Sequence, residues 1–162
     1  MKSISYFYRK EEPKISHTAT VKSIKIQSVT ALEAAIKELN NGGVRCSLIK
    51  DSTPRAYYSN QAGMGNADYV IRLEDSPFDI GLYKSSDGGF EARTDFFAGH
   101  IERLLGVKPK TAESAEQARM GKLFQTYGIH AATEAARKKG HMVRRIVKTD
   151  GTVALEITGA GL

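Results

Sequence analysis

The chain reads as an α+β protein: an antiparallel sheet of about six to seven strands with helices packed on one face, in the order β-α-β-β-β-β-α-α-β-β. Three observations predict this. Strand-like and helix-like segments are segregated and do not alternate as βαβα. The middle of the chain, "DYVIRL", "FDIGLYK" and "FEARTDFF", reads as a meander of three antiparallel strands. The run from Lys122 to Thr158 closes on a helical stretch followed by a hairpin signal. With 162 residues, 41% hydrophobic and 26% charged, the chain is long enough to bury a core and falls in the range of one globular domain. That domain is expected over residues 15–158, after an N-terminal extension or edge strand at 1–14 and before a flexible tail at 159–162.

Each element has a local reason. "HTATVKSIKI", His17 to Ile26, is rich in β-branched residues and partly alternating, as strands are. In "SVTALEAAIKELNNGG", Thr30 with Glu33 predicts a capping box, and Leu32, Ala35, Ile36 and Leu39 form one helical stripe. Asn41-Gly42-Gly43 predicts its end. "VRCSLI", Val44 to Ile49, reads as the next strand, and Lys50 to Ala67 as a long polar loop of the kind that carries function. The turn "SSDGG" joins the last two strands of the meander, its glycines supplying positive φ. "HIERLLG" predicts a short helix and "VKPKTAES" a linker in which Ser114 with Gln117 caps a helix from Ala115 to Lys139. "HMVRRIVK", the Asp150-Gly151 turn and "TVALEIT" predict the closing hairpin.

Composition bounds the function. No apolar run approaches the roughly 20 residues of a membrane helix, and the opening "MKSISYFYRKEEPK" lacks a secretory h-region, so a cytoplasmic protein with no membrane partner is expected. The single Cys46 can close no internal disulfide and reads as buried packing. The net charge of +6 speaks to partners and not to fold. Its densest part is "ARKKGHMVRRIVK", with Arg137, Lys138, Lys139, Arg144, Arg145 and Lys148 and no acidic residue among them.

The segments "ISHTATVKSIKIQSVTALEAAIKEL", "FDIGLY" and "LFQTYGIHAATEAARKKGHMVRRIVKTDGTVALEI" together resemble the domain of unknown function 1257 family, which includes the plastid and cyanobacterial hypothetical reading frame 35. The matching elements are Ser16-His17, Asp79-Ile80-Gly81, Tyr127 with His130, and Asp150-Gly151-Thr152, from about Ile15 to the end. The chain departs from the family pattern in residues 1–14 and in Arg144-Arg145, where more acidic residues are expected. The resemblance implies a fold and a non-enzymatic accessory role, of phage or cyanobacterial type, with no catalytic residues and no reaction. It marks His17, Asp79, Tyr127 and His130 as motif residues of unknown role.

Each candidate has a plainer counterpart. His17 facing His130 can ligate a metal if carboxylates such as Asp79 or Asp95 converge; otherwise both are core-rim histidines satisfied by carbonyls or by Tyr127. Lys138 and Lys139 are favoured at a helix C-terminus by its dipole alone. Arg144 and Arg145 are harder to dismiss: neighbours on a strand face opposite ways, so the one on the packed side needs a partner or an escape to solvent. Arg55 with Tyr57 and Tyr58 in the long loop reads as an interface anchor, as a base-stacking set, or as aromatics folded over the sheet edge. "GMGN" precedes a strand and does not open a helix, which excludes a phosphate-binding glycine loop there. No nucleophile-base pair or paired carboxylates stand out, so no catalytic residue, metal or cofactor is assigned. The expectation is a binding protein whose partner is an acidic protein in preference to nucleic acid, with a histidine- or metal-dependent enzyme least favoured. The oligomeric state is left open.

Overall fold

The structure is a computed structural model describing residues 25–56 and 64–159. Of the expected first strand only Lys25–Ile26, β1, lies among the described residues; the extension at 1–14 lies outside them. The first helix, α1 (Val29–Asn41), starts at Ser28, whose extended backbone lets its hydroxyl accept a hydrogen bond from the Ala31 N–H at 3.1 Å. The capping box expected at Thr30 and Glu33 does not form. Thr30 is already inside the helix, and it and Glu33 are exposed. The other end closes as foreseen. The Val44 N–H donates to Leu39 O at 2.9 Å and the Gly43 N–H to Asn40 O at 3.0 Å, with Gly43 at φ 95°. This Schellman arrangement requires the left-handed backbone that glycine adopts without a Cβ penalty.

β2 (Cys46–Ser52) starts later and runs further than the expected Val44–Ile49. Val44 is consumed in closing α1. The Asn40 side chain then grips both the N–H and the carbonyl of Cys46, at 3.1 and 2.6 Å, fixing where the strand begins. Pairing with β3 (Ala67–Leu73) continues to Ser52 opposite Ala67, so the polar segment expected as loop from Lys50 is strand at its start. β4 (Ile80–Lys84) and β5 (Phe90–Thr94) complete the predicted meander, with Gly88 at φ 91° in the turn between them.

These strands form one antiparallel sheet in the order β1-β5-β4-β3-β2. Its register puts Cys46, Leu48, Tyr69, Ile71, Leu73, Ile80, Leu82, Phe90 and Ala92 on one face. That face packs against the α1 stripe of Ala31, Leu32, Ala35, Ile36 and Leu39. Each fully buried Leu or Ile there contributes about 1.5–3 kcal/mol.

After a 3₁₀ turn at Phe97–Gly99 come α2 (His100–Leu105), α3 (Ala115–Ala118) and α4 (Gly121–Lys138). The helix expected as continuous from Ala115 to Lys139 is broken. Ala118 O accepts from the Val107 N–H at 2.8 Å instead of continuing a helical ladder, and Met120 leaves helical geometry at φ −123°. Ser114 does not cap; its hydroxyl donates to Thr111 O at 3.0 Å. Gly121 is required at the restart because a Cβ there would overlap Val107 Cγ2.

The interrupted apolar pattern of α4 reflects two duties. Leu123, Phe124 and Tyr127 enter the main core, whereas Ile129 and Ala136 pack against Val153, Leu155 and Ile157. Those last residues belong to the hairpin of β6 (Met142–Val147) and β7 (Val153–Thr158), a separate two-stranded sheet. The expected strands are thus divided between two sheets, because α4 stands between the hairpin and the core. Among the described residues, no helix is long and apolar enough to cross a membrane.

Candidate functional site

The seam of α1, α4 and β6 gathers several residues singled out in the sequence. Tyr127, 5% exposed, holds its hydroxyl as acceptor to the N–H groups of Gln27 and Ser28, at 2.8 and 3.1 Å. These are the last donors before α1, so Tyr127 fixes where the helix leaves the sheet. One turn along α4, His130 Nε2 lies 2.6 Å from Glu38 Oε2 on α1. The other Glu38 oxygen accepts from the Arg145 guanidinium on β6. Burial opposes the Glu38 charge, but the hydrogen bonds from Arg145 and His130 outweigh it and hold the carboxyl below its ordinary value. Ser28 Oγ donates to Glu134 Oε2 at 2.6 Å, and Glu134 also pairs Lys138 at 2.9 Å.

The second motif, Asp79-Ile80-Gly81, is equally engaged. Asp79 is 1% exposed and accepts from the Arg55 N–H at 2.9 Å, Nε at 2.9 Å and the terminal guanidinium nitrogen at 2.7 Å, and from the Leu73 N–H at 3.2 Å. Arg55 in turn donates to Leu73 O at 2.8 Å. Arg55 is thereby a tether for its loop. Gly81 lies under the Tyr83 ring, which a Cβ would strike at 2.7 Å, and the Tyr83 hydroxyl donates to Met64 O. In the third motif, Asp150 Oδ1 accepts from the Thr152 N–H at 2.9 Å and hydroxyl at 2.6 Å, and Gly151 supplies φ 82°. Asp79, Tyr127, His130 and Asp150 therefore each have a place in holding the fold.

The basic cluster is not uniform. Arg144 and Arg145 do point opposite ways, as strand neighbours must. Arg144 pairs with Glu156 directly across the hairpin, and Arg145 crosses to Glu38. Among the described residues, Arg137, Lys139 and Lys148 are exposed and form no ion pair. They flank β6, which also presents Met142 at 76% and Val147 at 66% exposure. Exposed cations thus lie at both ends of a strand that also exposes apolar side chains.

Tyr57, Tyr58 and His17 lie outside the described residues. Among those described, no three His, Cys, Asp or Glu side chains converge as a metal-ligand group. Asp79 is committed to Arg55, and Asp95 Oδ1 accepts from the Phe97 N–H at 2.9 Å. Cys46 is buried, and burial pushes its thiol up to about 11, the reverse of what a nucleophile needs. The sequence reading missed Glu38, the acceptor shared by His130 and Arg145. In sequence it is one more acid on an amphipathic helix, and only the packing of α4 and β6 onto α1 makes it a hub. It also missed Glu156, whose pairing follows from the hairpin register. No family model, no curated protein and no solved structure matches the chain.

Proposed function

We propose that the protein is a non-enzymatic binding or accessory factor whose contact surface is the C-terminal end of α4 together with the β6–β7 hairpin, and whose partner is an acidic protein. The observation that carries this reading is the composition of β6 and its flanks. Arg137, Lys139 and Lys148 form no ion pair among the described residues, Lys148 having only the Asp150 charge nearby, and they stand at the ends of the strand that exposes Met142 and Val147. Exposed cations outside any ion pair, beside exposed apolar groups, favour a protein surface with both acidic and apolar parts. Nucleic acid is the weaker reading, since Arg144 and Arg145 are already held by Glu156 and Glu38. The described hairpin also offers no aromatic ring for base stacking. The resemblance to the domain of unknown function 1257 family is in keeping with an accessory role.

The test compares capture from nuclease-treated and untreated lysates by the wild-type protein and by a Lys139→Glu/Lys148→Glu variant. A discrete protein retained after nuclease treatment and lost with the variant is the expected result. Capture that disappears with nuclease would replace this reading with nucleic-acid binding.

A further inference from the structure

The backbone of β6 carries this reading further. Lys148 N–H donates to Thr152 O at 2.8 Å and Gly151 N–H to Lys148 O at 2.9 Å, a three-residue loop closed by a hydrogen-bonded pair at 148 and 152. Antiparallel pairs alternate between hydrogen-bonded and non-hydrogen-bonded. The register then makes Val143↔Ile157, Arg145↔Leu155 and Val147↔Val153 the non-hydrogen-bonded pairs. The N–H and C=O groups of Val143, Arg145 and Val147 accordingly point away from β7. Among the described residues β6 pairs with β7 alone. The two strands also differ in burial: Val153, Ala154, Leu155 and Ile157 of β7 are buried, whereas Met142, Arg144, Arg145 and Val147 of β6 are exposed. The outward edge of this hairpin is β6.

We propose that this edge takes up an extended acidic segment of a partner protein as a third strand of the hairpin sheet. The inference rests on the protein-binding reading above and names its geometry. An edge of alternating donors and acceptors is matched by another peptide backbone, which supplies both. A phosphate backbone answers only the donors and sets its charge against the outward carbonyls. A second copy of this chain is disfavoured by charge, because edge-to-edge pairing of two β6 strands brings together two surfaces that each carry the exposed Arg137, Lys139 and Lys148. The guest is therefore acidic, with apolar residues alternating on the face of Val143 and Val147, the opposite face from Met142 and Arg144.

The experiment titrates the protein with a peptide of about eight alternating valine and glutamate residues, the length of one strand, beside a lysine-for-glutamate control and a single-stranded oligonucleotide. Binding is read by anisotropy, and amide exchange is read at Val143, Arg145 and Val147. The acidic peptide is expected to bind, to protect those three amides, and to lose affinity at higher salt. Val147→Pro deletes an outward N–H that the hairpin does not use, a substitution that edge strands tolerate. It should weaken binding about tenfold or more with the melting temperature little changed. Peptide binding that leaves the three amides unprotected, with Val147→Pro equal to wild type, overturns strand addition but leaves the protein-binding surface standing. Oligonucleotide binding without peptide binding overturns both readings. Absence of binding to either probe overturns strand addition.

Discussion

Replacing Asp79 by Ala tests what holds the loop after β2. The carboxylate is 1% exposed and accepts three hydrogen bonds from Arg55 and one from the Leu73 N–H. Deleting one member of a buried ion pair typically costs about 3–5 kcal/mol, because the other charge is left without compensation. Arg55 keeps 35% side-chain exposure and can turn partly to water, which moves the expectation to the low end. The orphaned Leu73 N–H adds to it, since a buried unsatisfied donor costs about 1–3 kcal/mol. A loss of about 3–4 kcal/mol is expected, a large share of the roughly 5–15 kcal/mol that stabilises a typical domain. In urea unfolding followed by circular dichroism, a slope of about 2 kcal/mol per M places the midpoint about 1.5–2 M lower. Arg55→Ala/Asp79→Ala should lose less than the sum of the single variants. A loss below about 1 kcal/mol for Asp79→Ala, or strict additivity with Arg55→Ala, would refute the argument.

Three further outcomes are expected. Tyr127→Phe keeps the buried ring but strips two backbone N–H groups of their acceptor. It should cost about 1–2 kcal/mol in the same urea assay, and exchange should quicken at Gln27 and Ser28. Glu38 has its pKa depressed in the folded state, so its contribution is complete above the ordinary carboxylate value and is lost as pH falls through the depressed one. Thermal melts across the acid range should show stability falling with pH, and Glu38→Gln should flatten that dependence; an unchanged slope would count against the Glu38 hub. Cys46, with its thiol pushed up to about 11, should react with a thiol reagent in mild alkali only at the rate of unfolding, and readily in denaturant.

Much of the fold was legible because it is written in local chemistry. The α1 stripe, the glycine-closed helix end, the meander and both glycine turns each follow from a few adjacent residues. The failures share a cause. Thr30 with Glu33 satisfies the capping pattern in sequence, but the helix starts at Ser28, where Tyr127, from far along the chain, binds the N–H groups of Gln27 and Ser28. The break between α3 and α4 depends on Val107 reaching Ala118 O, a contact between segments that local propensity does not see. The motif residues of the candidate site were visible as types in a pattern, but their role was not. Asp79 and His130 look alike as polar candidates until one is found locked to Arg55 and the other to Glu38.

By itself the sequence determined the α+β character, the antiparallel pairing through short turns, and the concentration of positive charge from Arg137 to Lys148, since these depend on side-chain period, turn chemistry and composition. Only the tertiary structure decided that the strands divide between two sheets, which cations are neutralised, and which strand edge is left outward. Those outcomes depend on where α4 lies between the core and the hairpin, because ion pairs and exposed edges arise between segments distant in the chain.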